Sequence, residues 1–401
     1  MTPDVTDMAP RTATWQAARL ALGTASALGI ARFGYGLLLP EMRADLHWSL
    51  AEAGAASTAN GLGYLVGAMM TAAVVRRWGT GVAFRAAMAL TAGSLAATAA
   101  SENFLFLLLA RTAAGASGAV VFVVGGVIAS RLAARIASAT PITVYFGGTG
   151  LGIVISGVSV PPLGERWRLA WLGLAAVAAL ATAVSWSATG RDDQGRHPAR
   201  GQARIRPLRE VALAYLLFAA GYITYITFLS AYLVDHHASL TQVMLTWTVL
   251  GLAVVMAPAL WSRPIIEWSG TRPLTALLTV LSGGAALALT SSAPPVVLGS
   301  ALVYGATFMG VPAAVTALIR ARTPPEDWTA TLAAFTTVFA IGQTAGPVLA
   351  GVLADHTSTR ATLSWTAILC AAAGAVSVAA GRRRLDAPIR SGTDAYESSP
   401  R

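Results

Sequence analysis

The feature that most constrains this chain is a series of apolar stretches, each about 20 residues long, that recur from one end to the other. A stretch of this length crosses the hydrocarbon core of a bilayer as an α-helix. Only 11% of the residues are charged and 55% are hydrophobic, whereas soluble domains carry about 25% charged residues. The sequence therefore predicts an integral membrane protein and excludes a soluble globular fold.

The apolar stretches, with the Arg, Pro and Gly residues between them, predict twelve transmembrane helices. Their predicted bounds are 16–39, 52–75, 81–100, 104–130, 139–160, 168–188, 210–234, 240–262, 272–291, 295–319, 329–353 and 361–381. The first stretch is too long for a signal-peptide core and is expected to be retained. We predict an all-α membrane fold of two pseudo-symmetric six-helix bundles.

A polar, arginine-containing stretch between the sixth and seventh helices predicts the domain organisation. The predicted regions are an N-terminal tail (1–15), a first six-helix bundle (16–188), a linker (189–209), a second six-helix bundle (210–381) and a disordered C-terminal tail (382–401).

The arginines predict the orientation in the membrane, because cytoplasmic loops retain an excess of positive charge. One face of the predicted bundle collects 22 of the 28 basic residues and the other face has four. Both termini and the linker are therefore expected in the cytoplasm, with the helices in a bacterial-type inner membrane. The remaining two arginines, Arg32 and Arg111, lie inside apolar stretches.

The two halves share landmarks in the same order, which indicates a duplicated transporter. His47-Trp48-Ser49-Leu50 corresponds to His237-Ala238-Ser239-Leu240, and Gly152 corresponds to Gly346. In this correspondence Thr224 takes the place of Arg32.

The segment from Gly29 to Pro40, together with Trp48-Ser49, resembles the major facilitator superfamily, and in particular its YbfB/YjiJ-type branch. The resemblance covers about Gln16 to Gly381, and Leu107 to Ala119 is similar to the fourth-helix motif of the superfamily. It implies two lobes around a central cavity, lined mainly by helices 1, 4, 7 and 10, that opens alternately to either side.

The resemblance also implies gating loops at two corresponding turns. The first contains Arg77 and Gly79, and the second contains Glu267 and Gly270. The family usually has an aspartate where this chain has Arg76, so the first loop lacks the acid of the family's charge relay, whereas the second loop keeps Glu267.

Arg32 and Arg111 are predicted to lie at one depth, roughly 12 Å below the outer surface. A charge at this depth costs about 2.5 to 3.5 kcal/mol on insertion scales, which marks both as functional candidates. Together they would attract a carboxylate, sulfonate or phosphate. In the structural alternative, Arg32 binds backbone carbonyls near Gly34 and Gly36, and the resemblance implies helix packing or proton coupling for Arg111.

Neutral residues complete the predicted substrate site. The second half offers hydroxyl, amide and aromatic groups for an amphipathic organic anion, and ordinary helix packing is the alternative for each of them. The substrate-binding candidates besides the two arginines are Tyr35, Asn60, Thr224, Tyr225, Tyr304 and Gln343, with Tyr222, Thr227, Trp247 and Phe308 in the same wall.

No carboxylate is predicted in mid-membrane, so the sequence lacks the buried acid of a proton-coupled transporter for cations. Glu41 and Glu52, near the predicted outer mouth, are the candidates for coupling, and a solvated position at a helix end is the alternative. Facilitated diffusion and anion exchange stay open.

These patterns predict a secondary active or facilitative transporter of a small organic anion that works by alternating access. The alternatives are an exporter of hydrophobic or cationic compounds with structural arginines, and a membrane sensor that transports nothing. No enzymatic motif appears. We expect a monomer in the lipid bilayer that binds a small-molecule substrate, with a coupling ion still open, and no cofactor, metal or nucleic acid.

Overall fold

The computed structural model describes residues 10–189 and 202–385, which are almost entirely helical. The helices are α1 (Pro10–Thr24), a π-helical segment (Ala25–Phe33), α2 (Tyr35–Leu46), α3 (Leu50–Ala99), α4 (Phe104–Arg135), α5 (Thr140–Ser159), α6 (Trp167–Ser185), α7 (Arg209–Asp235), α8 (Leu240–Glu267), α9 (Arg272–Thr290), α10 (Pro294–Phe308), α11 (Gly310–Arg322), α12 (Trp328–Asp355) and α13 (Arg360–Leu385). Three short 3₁₀ turns connect some of them. The predicted all-α membrane fold class is confirmed.

Eleven helical stretches, counted over the described residues, are long and apolar enough to cross a membrane, against a prediction of twelve. The difference lies in α3, which has 50 residues and a non-helical residue, Gly79, with φ 79°. An unbroken α-helix of 50 residues would be about 75 Å long, more than twice the thickness of the hydrocarbon core. The break at Gly79 falls between the predicted helices 52–75 and 81–100.

The correspondence between the halves extends to backbone geometry. His47 follows α2 and His237 follows α7, and both have left-handed backbones, with φ 55° and 52°. Ser49 and Ser239 then cap α3 and α8, each accepting a hydrogen bond from the amide three residues later. The shared letters His-x-Ser-Leu thus encode one helix–turn–helix device, a left-handed stop followed by a serine N-cap.

The two ends of the helix bundle differ in charge. We call the end with Asp235 and Asp355 the acidic end, and the end with Arg131 and Arg320 the arginine-rich end. The first is predicted to be outer and the second cytoplasmic.

The halves pack closely at the acidic end, where α3 meets α12, α5 meets α8 and α2 meets α7. Ser57 and Thr227 join α3 to α7 through their hydroxyl oxygens, 3.0 Å apart. Thr58 donates to the carbonyl of Thr344 in α12 at 2.6 Å. At Gly150, a Cβ would overlap the carbonyl oxygen of Gly251. Small residues thus let the backbones approach where lipid provides no hydrophobic drive between helices.

The described end of the predicted linker is tied to the second half at the arginine-rich end. Arg204 donates to the Asp327 carboxylate at 2.7 Å, and the Gln202 amide donates to the other oxygen at 2.7 Å. These hydrogen bonds hold the pKa of Asp327 below its usual range. The remaining linker residues 190–201, the first nine residues of the N-terminal tail and residues 386–401 lie outside the described part, so the domain boundaries stay predictions.

Candidate substrate site between the two halves

A change in helix geometry positions Arg32. After α1 the backbone continues as a nine-residue π-helical segment, Ala25–Phe33. At its end the Gly34 amide donates to the carbonyls of Gly29 at 3.0 Å and Ile30 at 3.1 Å. π-Helical turns are rare and frequently mark functional sites. The wide turn places Arg32 between the halves with 7% of its surface exposed.

Arg32 links the two halves through its side chain. Its Nη2 donates to the Tyr222 hydroxyl at 3.0 Å and, in a shorter contact, to Oε1 of Gln343. Its side-chain hydrogen bonds therefore run to α7 and α12 rather than to the carbonyls near Gly34 and Gly36. The structure brings together Arg32 and Gln343, two of the predicted substrate-binding residues.

Two buried donors at this junction have no partner. Nε of Arg32 and Nε2 of Gln343 make no hydrogen bond to the described residues. Buried polar atoms are rarely left unpaired, since each costs about 1 to 3 kcal/mol. Both unpaired atoms are donors, and they belong to two side chains that are hydrogen-bonded to each other. The pair can therefore bind a ligand that offers two acceptor oxygens.

Aromatic rings surround the Arg32 guanidinium. Its Cζ lies 5.1 Å from the ring centre of Tyr64 and 5.8 Å from that of Phe33. Tyr222 lies 5.5 Å from Phe339 in a nearly stacked geometry. The charge is thus held by ring faces, a cation–π environment that lowers the cost of burial.

A cavity of about 620 Å³ opens at the arginine-rich end, between α4 and α5 of the first half and α11 and α12 of the second. Its wall includes Arg131 and Arg320 and, over residues 10–189 and 202–385, contains no Asp or Glu. The ring centre of Phe122 in the wall lies 6.4 Å from that of Tyr64, and Tyr64 lies 5.1 Å from Cζ of Arg32. The cavity wall is therefore separated from Arg32 by the ring of Tyr64.

Arg111 occupies a different environment. It is 1% exposed, and its Nη1 donates to the Ala31 carbonyl at 2.6 Å. Its Cζ lies 4.7 Å from the ring centre of Tyr35 and 5.4 Å from that of Trp171. All of these contacts lie within the first half, whereas the hydrogen bonds of Arg32 run to the second half. Nε and Nη2 of Arg111 also lack a hydrogen-bond partner among the described residues.

Two other candidates of the first half make contacts with backbone oxygens. The Tyr35 hydroxyl donates to the Ala53 carbonyl at 2.7 Å, and Asn60 donates to the Arg111 carbonyl at 3.2 Å. Both interactions join neighbouring helices of the same half.

Three further candidates, Tyr225, Tyr304 and Thr224, make hydrogen bonds or ring contacts within the second half. Tyr225 stacks on Tyr304 with ring centres 3.9 Å apart, and its hydroxyl lies 2.7 Å from the Ser300 hydroxyl. The Tyr304 hydroxyl donates to the Tyr222 carbonyl, and that of Thr224 to a carbonyl of its own helix. Tyr304 thus packs against Tyr222 through this hydrogen bond, and none of the three residues makes a hydrogen bond or ring contact with Arg32.

The two coupling candidates lie at the acidic end. Glu52 is exposed and completes a capping box with Ser49, receiving the Ser49 amide at 2.8 Å. Glu41 is half-buried in the middle of α2, directly after Pro40. Neither residue contacts Arg32.

The predicted gating loops lie at the arginine-rich end, on turns of matching geometry. Gly79 and Gly270 both have positive φ, 79° and 65°, which favours glycine. Arg77 and Glu267 are exposed beside these turns. In this conformation the charged side chains of the two loops face solvent.

Sequence reasoning missed Tyr64 and Phe339. Tyr64 lies four residues after Asn60, and Phe339 lies four residues before Gln343. Residues four apart share one helix face, so a search one turn from each predicted polar candidate would have found both.

Two helical halves that close at one end around a buried arginine, with a cavity at the other end, define a membrane transporter of the major facilitator type. The model of the family described as "Uncharacterised MFS-type transporter YbfB" matches residues 24–381, and the chain belongs to this family. The resemblance seen in the sequence is thereby confirmed.

Solved structures show the same fold. The nucleoside transporter NupG is 13% identical, with a TM-score of 0.69 over 92% of this chain and 98% of that one. A bacterial homologue of the human lysosomal transporter Spinster, inward-facing and unoccupied, is 14% identical, with a TM-score of 0.68 over 94% and 98%. No curated protein sequence matches the chain. At these identities the likeness concerns the fold alone.

Proposed function

We propose that this protein transports a small organic anion by alternating access, with Arg32 and Gln343 as the groups that bind the charge. The observation that carries the proposal is the pair of buried, unpaired donors at the junction of the halves. An anion with two acceptor oxygens would pair both donors in one binding event.

The cavity wall supports an anionic cargo. Arg131 and Arg320 line its mouth, and the described residues of its wall include no carboxylate. Charges of one sign in a cleft raise the local concentration of the opposite ion. A cationic or purely hydrophobic cargo would leave Nε of Arg32 and Nε2 of Gln343 without an acceptor.

Binding at Arg32 would also affect the contact between the halves. The Arg32 guanidinium, on the π-helical segment of the first half, donates hydrogen bonds to Tyr222 and Gln343 of the second half. An anion that accepts from Arg32 competes for the guanidinium that now holds Gln343. Ligand binding would thus shift the free-energy difference between conformations open at either end.

The proposed orientation has the arginine-rich end in the cytoplasm of a bacterial-type inner membrane, following the arginine asymmetry. The cavity would then face the cytoplasm. The proposal covers both secondary active and facilitative transport by a monomer.

The test is thermal stabilisation of the purified protein by a panel of organic anions and size-matched cations, because a ligand that prefers the folded state raises the unfolding temperature. We expect stabilisation by anions, and a Kd weakened about 10- to 100-fold in Arg32→Ala, since a hydrogen bond to a charged group contributes about 1.5 to 3 kcal/mol. Arg263→Ala, which removes an exposed arginine, is the control for net charge.

Uptake of the best anion into proteoliposomes completes the test. Anions that stabilise wild type and Arg32→Ala equally, or stabilisation by cations alone, would refute the assigned site.

A further inference from the structure

We infer that the anion bound by Arg32 is an aromatic carboxylate, with its ring held between Tyr64 of the first half and the Tyr222–Phe339 rings of the second. This inference rests on the proposed anion transport and specifies the chemical class of the cargo.

One face of α7 carries a column of nearly parallel rings. Tyr215 and Phe218 have ring centres 6.0 Å apart and planes 7° apart, and Phe218 and Tyr222 are 4.9 Å and 16° apart. Tyr222 continues to Phe308 at 6.0 Å and 20°. The Tyr222 hydroxyl in this column accepts a hydrogen bond from Arg32, so a stacked surface meets a positive charge there.

Phe339 extends this surface at the position a ligand ring would need. It lies four residues before Gln343 on α12, one turn or about 6 Å towards the arginine-rich end. Its ring is 28° from the plane of Tyr222, and it is half-buried while Tyr222 and Phe218 are buried. A carboxylate at Gln343 would thus bring an attached ring alongside Phe339.

The first half supplies the opposite wall. Tyr64 is 9% exposed and contacts both the Arg32 guanidinium and Phe122. Phe122 and Phe146, with ring centres 5.1 Å apart, are half-buried and line the cavity. A chain of rings of the first half therefore runs from the cavity wall to the Arg32 guanidinium.

Packing alone would explain buried rings without unpaired donors. Here the ring surfaces converge on two donors that lack an acceptor, and the rings nearest the cavity are the ones left half-buried. Aliphatic and aromatic carboxylates would use the donors equally, but only a planar ring gains the stacking contribution, about 2- to 10-fold in affinity for each ring pair.

The experiment compares benzoate with cyclohexanecarboxylate, which has a similar size and the same carboxylate, and with benzyl alcohol, which has the ring without the charge. Kd is measured on wild type, Arg32→Ala, Phe339→Leu and Tyr64→Leu. We expect benzoate to bind wild type about tenfold more tightly than cyclohexanecarboxylate. In either ring variant this preference should fall to about twofold or less, and benzyl alcohol should not bind measurably.

The outcomes separate the two ideas. Equal affinities for both carboxylates, each dependent on Arg32, would overturn the aromatic inference and leave anion transport standing. An undiminished preference in both ring variants would also overturn it. If wild type binds neither benzoate nor cyclohexanecarboxylate, this inference is overturned. If no anion of the wider panel stabilises wild type, the proposed function is overturned as well.

Discussion

Replacing Asp355 with alanine is expected to weaken the closure of the acidic end. Asp355 ends α12, and its carboxylate accepts the amides of Leu50 at 2.7 Å and Ala51 at 2.9 Å, in the first turn of α3. A carboxylate at a helix N-terminus is stabilised by unpaired amides and by the helix dipole. This contact joins the two halves opposite the cavity, so it stabilises the conformation described above.

The magnitude follows from the geometry and the exposure. Hydrogen bonds to a charged group contribute about 1.5 to 3 kcal/mol when shielded, and a charge near an exposed helix end contributes about 0.3 to 1 kcal/mol. Asp355 is exposed, so we expect a loss of about 1 to 2 kcal/mol. The population open at the acidic end should rise about 5- to 30-fold.

Cysteine accessibility measures this population. The only cysteine, Cys370, is buried and can be replaced by alanine. Ser57→Cys then introduces a thiol at a position that is 8% exposed and touches the second half. Its labelling rate with a membrane-impermeant maleimide added at the acidic end should rise 5- to 30-fold in Asp355→Ala.

The control is Asp45→Ala, because Asp45 accepts from Trp167 within the first half at 2.8 Å. An unchanged labelling rate in Asp355→Ala, or an equal increase in Asp45→Ala, would refute the assignment of Asp355 to the closure.

Two further predictions concern stability. Arg111→Met should lower the free energy of unfolding by about 2 to 4 kcal/mol, since it removes a buried hydrogen bond and two cation–π contacts. The anion Kd of the folded protein should change less than twofold. A loss of affinity equal to that of Arg32→Ala would contradict the separation of the two arginines. The Asp327 carboxylate, whose pKa is lowered by Arg204 and Gln202, stabilises the fold above its unfolded pKa of about 4 and loses this contribution as the pH falls through its lower folded pKa. Asp327→Asn should therefore lower the unfolding temperature at pH 7 and flatten its decrease below pH ~4, measured by differential scanning fluorimetry, and a parallel pH curve for the variant would contradict the prediction.

Several elements of the fold are legible in the sequence because they depend on local chemistry. The membrane helices follow from apolar length, since a chain in lipid must satisfy its backbone hydrogen bonds within each helix. The paired His-x-Ser-Leu segments predicted the duplication, and both proved to be left-handed stops followed by serine caps. Gly79 lies at a turn that the sequence already required, because the apolar residues on its two sides are together too long for one membrane crossing.

The candidate site was legible only in part. Arg32 and Arg111 have the same predicted depth and the same burial cost, and the sequence gives no way to rank them. Their environments differ because one points between the halves and the other into its own half. The order of helices along the chain does not show which arginine faces the other half.

The sequence by itself determined that the chain lies in a lipid bilayer, where its helices run, which family it belongs to and which two charges lie within the membrane. Hydropathy and capping act over a few residues, so these properties can be read locally. Tertiary structure alone decided that α1 widens into a π-helical segment and that Arg32 meets Gln343, 311 positions away. It also decided that both residues keep an unpaired donor. Those outcomes depend on how helices from the two halves pack, and helix packing sums many weak contacts between residues far apart in the chain.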